Sequence, residues 1–296
     1  MTQFLELLVN GLSLGALYAL IAMGFVIIFK SSEVVSFMHG SLLFLGAYLI
    51  ARLHDALGFW GAVAVGVAGT AVLALAVERL LINRLRGAPV ISLAILTIGL
   101  DIILSTELTR RIGSDILNVG HPWGGRVVRL GGIGITVNRA LAMAVAAVLI
   151  LLFFLAFKFS NWGVAMRASA EDGEAAALMG IHLGRVSATA WTVAGVLAAV
   201  AGLFLVGSPT PGVGPEVGSI ALAALPAAIL GGLDSTGGAL LGGLLIGVTS
   251  SLVAGYQDNL LFLGRGFGDI APYVVMILVL LVRPSGLFGT RELTRV

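Results

Sequence analysis

The chain has 296 residues, of which 58% are hydrophobic and only 11% charged, with a mean hydropathy of +1.07. Soluble domains carry about 25% charged residues, and a folded surface of this size needs polar groups to cover it, so a water-soluble globule is excluded and an integral membrane protein is required. A net charge of +2 without a basic block excludes a nucleic-acid partner, and the lack of cysteine excludes disulfides, thiol chemistry and a Cys-based metal site.

The N-terminus, MTQFLELLVNG, has no basic segment before its first apolar run and carries Glu6. It reads as a retained helix and not as a cleaved signal peptide. A crossing needs about 20 apolar residues, which predicts spans near 8–29, 35–52, 59–80, 90–109, 139–158, 187–206, 217–232, 238–255 and 270–282. The fold class is all-α, a polytopic membrane protein with about 8–10 transmembrane helices in a single domain over 1–296. The second span follows the first after only Lys30 to Val34. The seventh is short and contains Pro226, which predicts a broken or re-entrant segment.

Lys30, Arg79, Arg84, Arg86, Lys158, Arg167, Arg185, Arg283, Arg291 and Arg295 fall on one side of these spans. Arg52, Arg110, Arg111, Arg126, Arg129, Arg139 and Arg265 fall on the other. Ten against seven places the first side in the cytoplasm, with the C-terminus, and the N-terminus outside. The longest outer loop, about 110–138, holds Gly-Gly pairs and a Val/Ile alternation near 127–137 that predicts a short hairpin. It reads either as a contact for an external partner or as a cap over helix ends.

Gly11-Leu12-Ser13-Leu14-Gly15 matches the G-x-S-x-G pattern of a serine nucleophile. That pattern needs a strand-to-helix elbow, whereas this stretch lies in an apolar helix. Its glycines, four apart, fit a packing face, as do Gly238 with Gly242 and Gly243 with Gly247. Such faces serve contacts within the chain or with a partner permease. His39 opens the second span. It is a candidate for a path or gate, with a neutral histidine bonded to a nearby carbonyl as the plainer reading. Asp101 lies mid-span and faces either a path or a structural partner. Glu78 and Glu107 lie near span ends and read as anchors that snorkel. Arg283-Pro284 ends the final helix.

One polar stretch interrupts the apolar chain: RASAEDGEAAALMGIHLGRV, from Arg167 to Val186. Ser169 followed by Asp172 fits an N-cap pattern, and Glu171 and Asp172 suit a helix N-terminus. Ala170, Ala175, Ala176 and Ala177 favour helix, and Gly180 is placed to end it. The expected product is a short cytoplasmic helix near 170–179, within a unit at about 169–181. It is acidic and alanine-rich, unlike a lipid-surface helix, which points to a protein partner.

Glu174-Ala175-Ala176-x-x-x-Gly180 resembles the EAA loop of bacterial ABC importer permeases, although Ala190-Trp191-Thr192 stands where that motif often continues as Ile-x-Leu-Pro. The surrounding sequence is similar to permeases of the branched-chain amino acid family, LivH type, in GLSLGALYALIAMGFVIIFK (11–30), SFMHGSLLFLGAYL (36–49), ILGGLDSTGGALLGGLLIG (229–247) and RPSGLFG (283–289). Ser36 and Met38 replace the family's Asn and Ala.

The resemblance implies a bacterial cytoplasmic-membrane permease subunit without catalytic residues, resident cofactor or metal, whose ATP and Mg are used by partner ATPases. The chain shows no G-x-x-x-x-G-K-[ST] loop of its own. The implied assembly is a heterodimer with a LivM-type permease, two LivG/LivF-type ATPases, an extracytoplasmic substrate-binding protein and surrounding lipid. The implied docking residues are Ser169, Asp172, Glu174, Ala175, Ala176, Met179, Gly180 and Ile181, and the implied cargo is leucine, isoleucine and valine. Relatives that carry urea, short amides or other small carboxylates are the nearest alternative. A secondary transporter or channel, and an intramembrane hydrolase built on Ser13, are the rivals from other classes.

Overall fold

The computed structural model describes residues 2–130, 133–207, 212–214, 216–263 and 266–289; Gly131, Gly132, Arg265, Arg291 and Arg295 lie outside these. Helix α1 is Thr2–Ser32, α2 is His39–Val77, α3 is Val90–Ile112 and α4 is Val137–Phe159. Two short helices follow, α5 (Asn161–Glu171) and α6 (Gly173–Leu178), then α7 (Leu183–Leu205), α8 (Glu216–Ala223), α9 (Leu225–Gly231), α10 (Thr236–Gly255) and α11 (Phe267–Val282). Strands β1 (Val127–Leu130) and β2 (Ile133–Thr136) pair antiparallel, Val127 opposite Thr136, in the hairpin expected near 127–137. The all-α polytopic class is therefore what the chain adopts.

Among the described residues six helical segments are long and apolar enough to cross a membrane, and one of them, His39–Leu85, runs for 47 residues. At about 1.5 Å per residue it would be more than twice as long as the roughly 30 Å apolar core. Gly58 resolves this, with φ 70 and ψ 167 inside the helical run. A Cβ on Gly46 would meet Thr70 Oγ1 at 3.3 Å, and one on Gly66 would meet the Ile50 nitrogen at 3.3 Å. Contacts that pair residues symmetrically about position 58 mean that the chain folds back there. Two antiparallel halves correspond to the expected spans 35–52 and 59–80, the first beginning at His39. The expected span 217–232 is broken: α8 and α9 meet at Ala224, and Pro226 sits in the first turn of α9, where its missing N–H costs nothing.

Helix α1 is the hub. Its apolar window is 83% buried and that of α7 is 72%, against 11% for α3 and 22% for α4, which form the outer faces. Glycine makes this burial attainable. A Cβ on Gly11 would lie 2.7 Å from Val248 Cα, one on Gly15 would lie 2.8 Å from Leu244 Cα, and Gly243 and Gly247 press on the backbones of Ala19 and Gly15. Gly238 and Gly242 abut the carbonyls of Gly231 and Ala227 in α9. All six glycines thus face neighbours within this chain. Ser13 is buried in α1 and donates to the Arg139 carbonyl at 3.2 Å, with no strand elbow around it.

The start of α2 lies beside Gly24, well inside α1. Its free N–H groups therefore sit in the apolar layer, where each needs an acceptor. Met38, at the N-cap, supplies none. Helix α3 does: Thr97 Oγ1 accepts from the Phe37 N–H at 3.2 Å, and one turn on Asp101 Oδ1 accepts from the Ser41 N–H at 3.1 Å. Asp101 is thus the structural cap of a neighbouring helix, with an acceptor oxygen at its positive end.

The end with more Lys and Arg, here the inner end, holds Lys30, whose ammonium donates to the Asp234 carbonyl at 2.8 Å. At the outer end the Ser251 hydroxyl donates to the Leu7 carbonyl at 2.8 Å, and Asn138 donates to the Phe204 carbonyl at 3.2 Å. Glu107 is an exposed anchor held by Arg110 at 2.8 Å and Arg111 at 2.6 Å. The outer loop packs on an aromatic cluster: His121 stacks on Trp123 with centroids 5.1 Å apart, and Trp123 also meets Phe59 and Phe204.

Three outcomes follow from this packing. Gly247→Val places a branched side chain against Gly15 backbone and should cost about 1–3 kcal/mol, read as a lower melting temperature in detergent. Asp101→Asn, which keeps an acceptor, should preserve folding, whereas Asp101→Leu strands the Ser41 N–H and should cost about 1–3 kcal/mol; equal stability of the two variants would refute the capping role. Burial holds His121 below its ordinary value of 6.5. Its neutral form is therefore favoured in the fold, so stability is present above pH 6.5 and declines as acid protonates the unfolded loop first. Protease cleavage of the loop should rise between pH 7.5 and 5.5, and His121→Phe should flatten that rise.

Candidate functional site: an exposed helix at the inner end

Between α4 and α7 the chain leaves the apolar layer. Ser160 caps α5 by accepting from the Gly163 N–H at 3.1 Å, and Arg167 donates back to the Phe157 carbonyl at the end of α4. Helix α5 then carries the chain through Ser169 and Ala170 to Glu171. Ser169 is inside that helix and donates to the Met166 carbonyl at 3.0 Å. It is not the N-cap that the sequence suggested, because α5 already supplies a preceding turn whose carbonyl its hydroxyl can reach. The cap is Asp172, whose backbone is extended (φ −154, ψ 101) and whose Oδ1 accepts from the Ala175 N–H at 2.9 Å. The helix expected near 170–179 is thus two helices divided at Asp172, and the second begins at Gly173.

The C-terminus of α6 closes as expected at Gly180, in the left-handed region with φ 87. The Ile181 N–H reaches the Ala176 carbonyl and the Gly180 N–H reaches the Ala177 carbonyl, both at 3.0 Å. This pair of bonds is a Schellman motif. Both ends of a six-residue helix are therefore closed by local bonds, and it holds its shape without a partner lying over it.

The exposed surface of this unit is mixed. Asp172, Glu174, Ala175 and Gly180 are exposed, Ser169 and Ile181 are half-buried, and Ala176 is buried against the protein. Leu178 and Met179 are each 85% exposed. Leu178 was not among the docking residues read from the sequence. The signal available was two bulky apolar residues directly before a left-handed glycine, where the chain turns away and leaves them at the tip. An adjacent pair of large apolar side chains held out at a helix end is suited to filling an apolar cleft on another protein.

The segment after the tip returns to the membrane beside the inner end of α2. There Glu78 opens a π-helical turn, Glu78–Ile82, followed by a 3-10 turn at Asn83–Leu85. Glu78 does not snorkel to the surface as expected: its side chain is 0% exposed, because α7 and the Arg79 and Arg86 side chains close over it. The nearest cationic atoms are Arg79 Nε at 3.8 Å and Arg86 Nη2 at 3.9 Å. Arg86 Nη2 donates to the Leu183 carbonyl at 2.9 Å.

The other residues singled out lie apart from this unit. His39 is fully buried beside Gly24 and Phe25, with its ring centroid 4.7 Å from that of Phe25. Neither ring nitrogen finds a hydrogen-bond partner among the described residues, so the expected carbonyl contact is absent there. Asp101 is on the α3 side of the same helix start, in its capping role. Among the described residues no group of three or more His, Cys, Asp or Glu is placed to hold a metal.

The family model described as branched-chain amino acid transport system / permease component matches residues 7–282. The chain is 32% identical to the high-affinity branched-chain amino acid transport system permease protein LivH of Escherichia coli K12, over 99% of this chain and 98% of that protein. It is 30% identical to the corresponding protein BraD of Pseudomonas aeruginosa, with the same coverage. A more distant relative is the fructose import permease protein FrcC of Rhizobium meliloti, 26% identical over 71% of this chain and 61% of that one. Among solved structures, PsaBC from Streptococcus pneumoniae in complex with Fab shares the fold at a TM-score of 0.51 and 17% identity, covering 94% of this chain and 92% of that one. By its sequence from residue 7 to residue 282, and over nearly its full length against LivH, the chain belongs to the family of branched-chain amino acid transport permeases.

Proposed function

We propose that this permease is the membrane subunit of an ATP-driven importer of leucine, isoleucine and valine in the bacterial cytoplasmic membrane, and that α6 is where the work of ATP enters. The observation that carries the proposal is the closed helix Gly173–Leu178 with Leu178 and Met179 held 85% exposed at the inner end. ATP and Mg are used by two LivG/LivF-type ATPases, and closure of that pair drives α6 and with it the α5–α7 segment. A LivM-type permease completes the membrane unit, and an extracytoplasmic binding protein delivers cargo and sets its selectivity. The more distant similarity to a fructose import permease is consistent with cargo choice residing in that protein. Asp101, the residue that most favoured an autonomous ion-coupled carrier, is engaged as a helix cap, which favours the importer reading.

Docking of the tip buries two large apolar side chains, each contributing about 1.5–3 kcal/mol when fully covered. Leu178→Asp with Met179→Asp should therefore weaken co-purification of the ATPases at least tenfold and abolish uptake, while membrane insertion is unchanged. Retention of ATPase by that double variant would sink the assignment. Within the same helix Asp172→Ala should cost about 1 kcal/mol of helix stability, and Gly180→Leu about 1–2 kcal/mol for its left-handed backbone. Ser169→Ala should leave docking near wild type, and Glu174→Arg should weaken it. ATPase-docking titrations across the four variants test this ranking.

A further inference from the structure

We propose that Arg86 is a two-position switch, exchanging the Leu183 carbonyl for the Glu78 carboxylate, and that this exchange passes displacement of α6 into the α2 hairpin; the proposal rests on the reading of α6 as the ATPase-docking helix. In the present arrangement one guanidinium atom, Nη2, faces two acceptors. It donates to Leu183 O at 2.9 Å and stops 3.9 Å short of Glu78 Oε1. Glu78 is 0% exposed, and neither of its oxygens closes a hydrogen bond among the described residues. The buried Ser187 hydroxyl is its neighbour and interacts with it, in a contact that falls outside normal hydrogen-bond geometry.

A carboxyl group shut away from water with only such weak or long contacts is a costly arrangement. It is relieved once a guanidinium closes to the usual charge-assisted length of about 2.7–2.9 Å. That takes a movement of about an ångström by this measure, and the Leu183 carbonyl is what holds Arg86 back. Leu183 begins α7 and follows Gly180 by only two intervening residues, so displacement of α6 pulls directly on that carbonyl. Two further features tie the same place to α2. A Cβ on Gly184 would lie 3.0 Å from Asn83 Oδ1, so the start of α7 abuts the end of the α2 run. Glu78 opens a π-helical turn, a local winding that occurs frequently at functional sites. Release of Leu183 thus frees Arg86 to pair with Glu78 and reset that turn.

The test uses the complete transporter, both permeases with ATPases and binding protein, in proteoliposomes. Glu78→Gln and, separately, Arg86→Ala should lower uptake at least tenfold while ATPase association and ATP hydrolysis persist, an uncoupled state that simple misfolding does not produce. The cysteine-free chain also allows Asn83→Cys with Gly184→Cys, and a short thiol cross-link there should stop uptake until reductant is added. Wild-type uptake per ATP in Glu78→Gln, or uptake that survives the cross-link, overturns the switch. Loss of ATPase association in Glu78→Gln together with uptake overturns it as well, since Glu78 would then only support the docking surface. Failure of the unmodified chain to bind any ATPase overturns the docking reading and the switch together.

Discussion

In an apolar layer every backbone N–H and C=O must find a partner within the protein, and three departures from continuous helix among the described residues show how this fold meets that demand. Helix α2 starts beside Gly24 of α1, α2 reverses at Gly58, and α8 gives way to α9 at Ala224. Each departure has its own remedy. Thr97 and Asp101 of α3 reach across to the first N–H groups of α2. Gly58 adopts an extended backbone at positive φ with nothing within 4 Å of its Cβ position, at the outer end where water can serve its polar groups. Pro226 lies in the first turn of α9, at a position that needs no donor. The pairing of α2 with α3 and the close approach of α1 to α10 both follow from satisfying this requirement without bulky side chains in the way.

The spans were legible in the sequence because length and hydropathy alone identify a segment that must be helical in lipid. The basic-residue bias likewise separated the two ends correctly for Lys30 and Arg139, which occupy opposite ends of the bundle. Partnership across the bundle was not legible. Asp101 and Ser41 are sixty residues apart, and no local pattern reveals that one caps the other. Glu78 illustrates the same limit: at a span end it reads as a surface anchor, and only the packing of α7 shows that it is covered.

At the exposed helix α6 the sequence placed a short polar helix and its Gly180 end, joined it to the last turn of α5, and so set its start three residues early. Ser169 and Asp172 are both competent caps by residue type. The choice between them is made by the chain upstream, where Ser160 starts α5 early enough to absorb Ser169 into its last turn. Ala176 faces inward, and the exposed pair falls on Leu178 and Met179. Ala176 therefore seats the helix against its own protein, while the exposed Ala175 and Ala177 leave Leu178 and Met179 as the projecting surface.

The placement of the tryptophans gives this architecture its own optical reporter. Trp162 lies at the base of α5, with its indole N–H directed to the Val186 carbonyl of α7 at 3.4 Å. It therefore spans the two elements between which α6 hangs. Trp191 is sealed in the core, whereas Trp60 and Trp123 belong to the outer half of the molecule. With those three replaced by phenylalanine, the emission of the remaining indole would record the polarity of the α5–α7 junction in real time, without a dye attached to the exposed tip of α6.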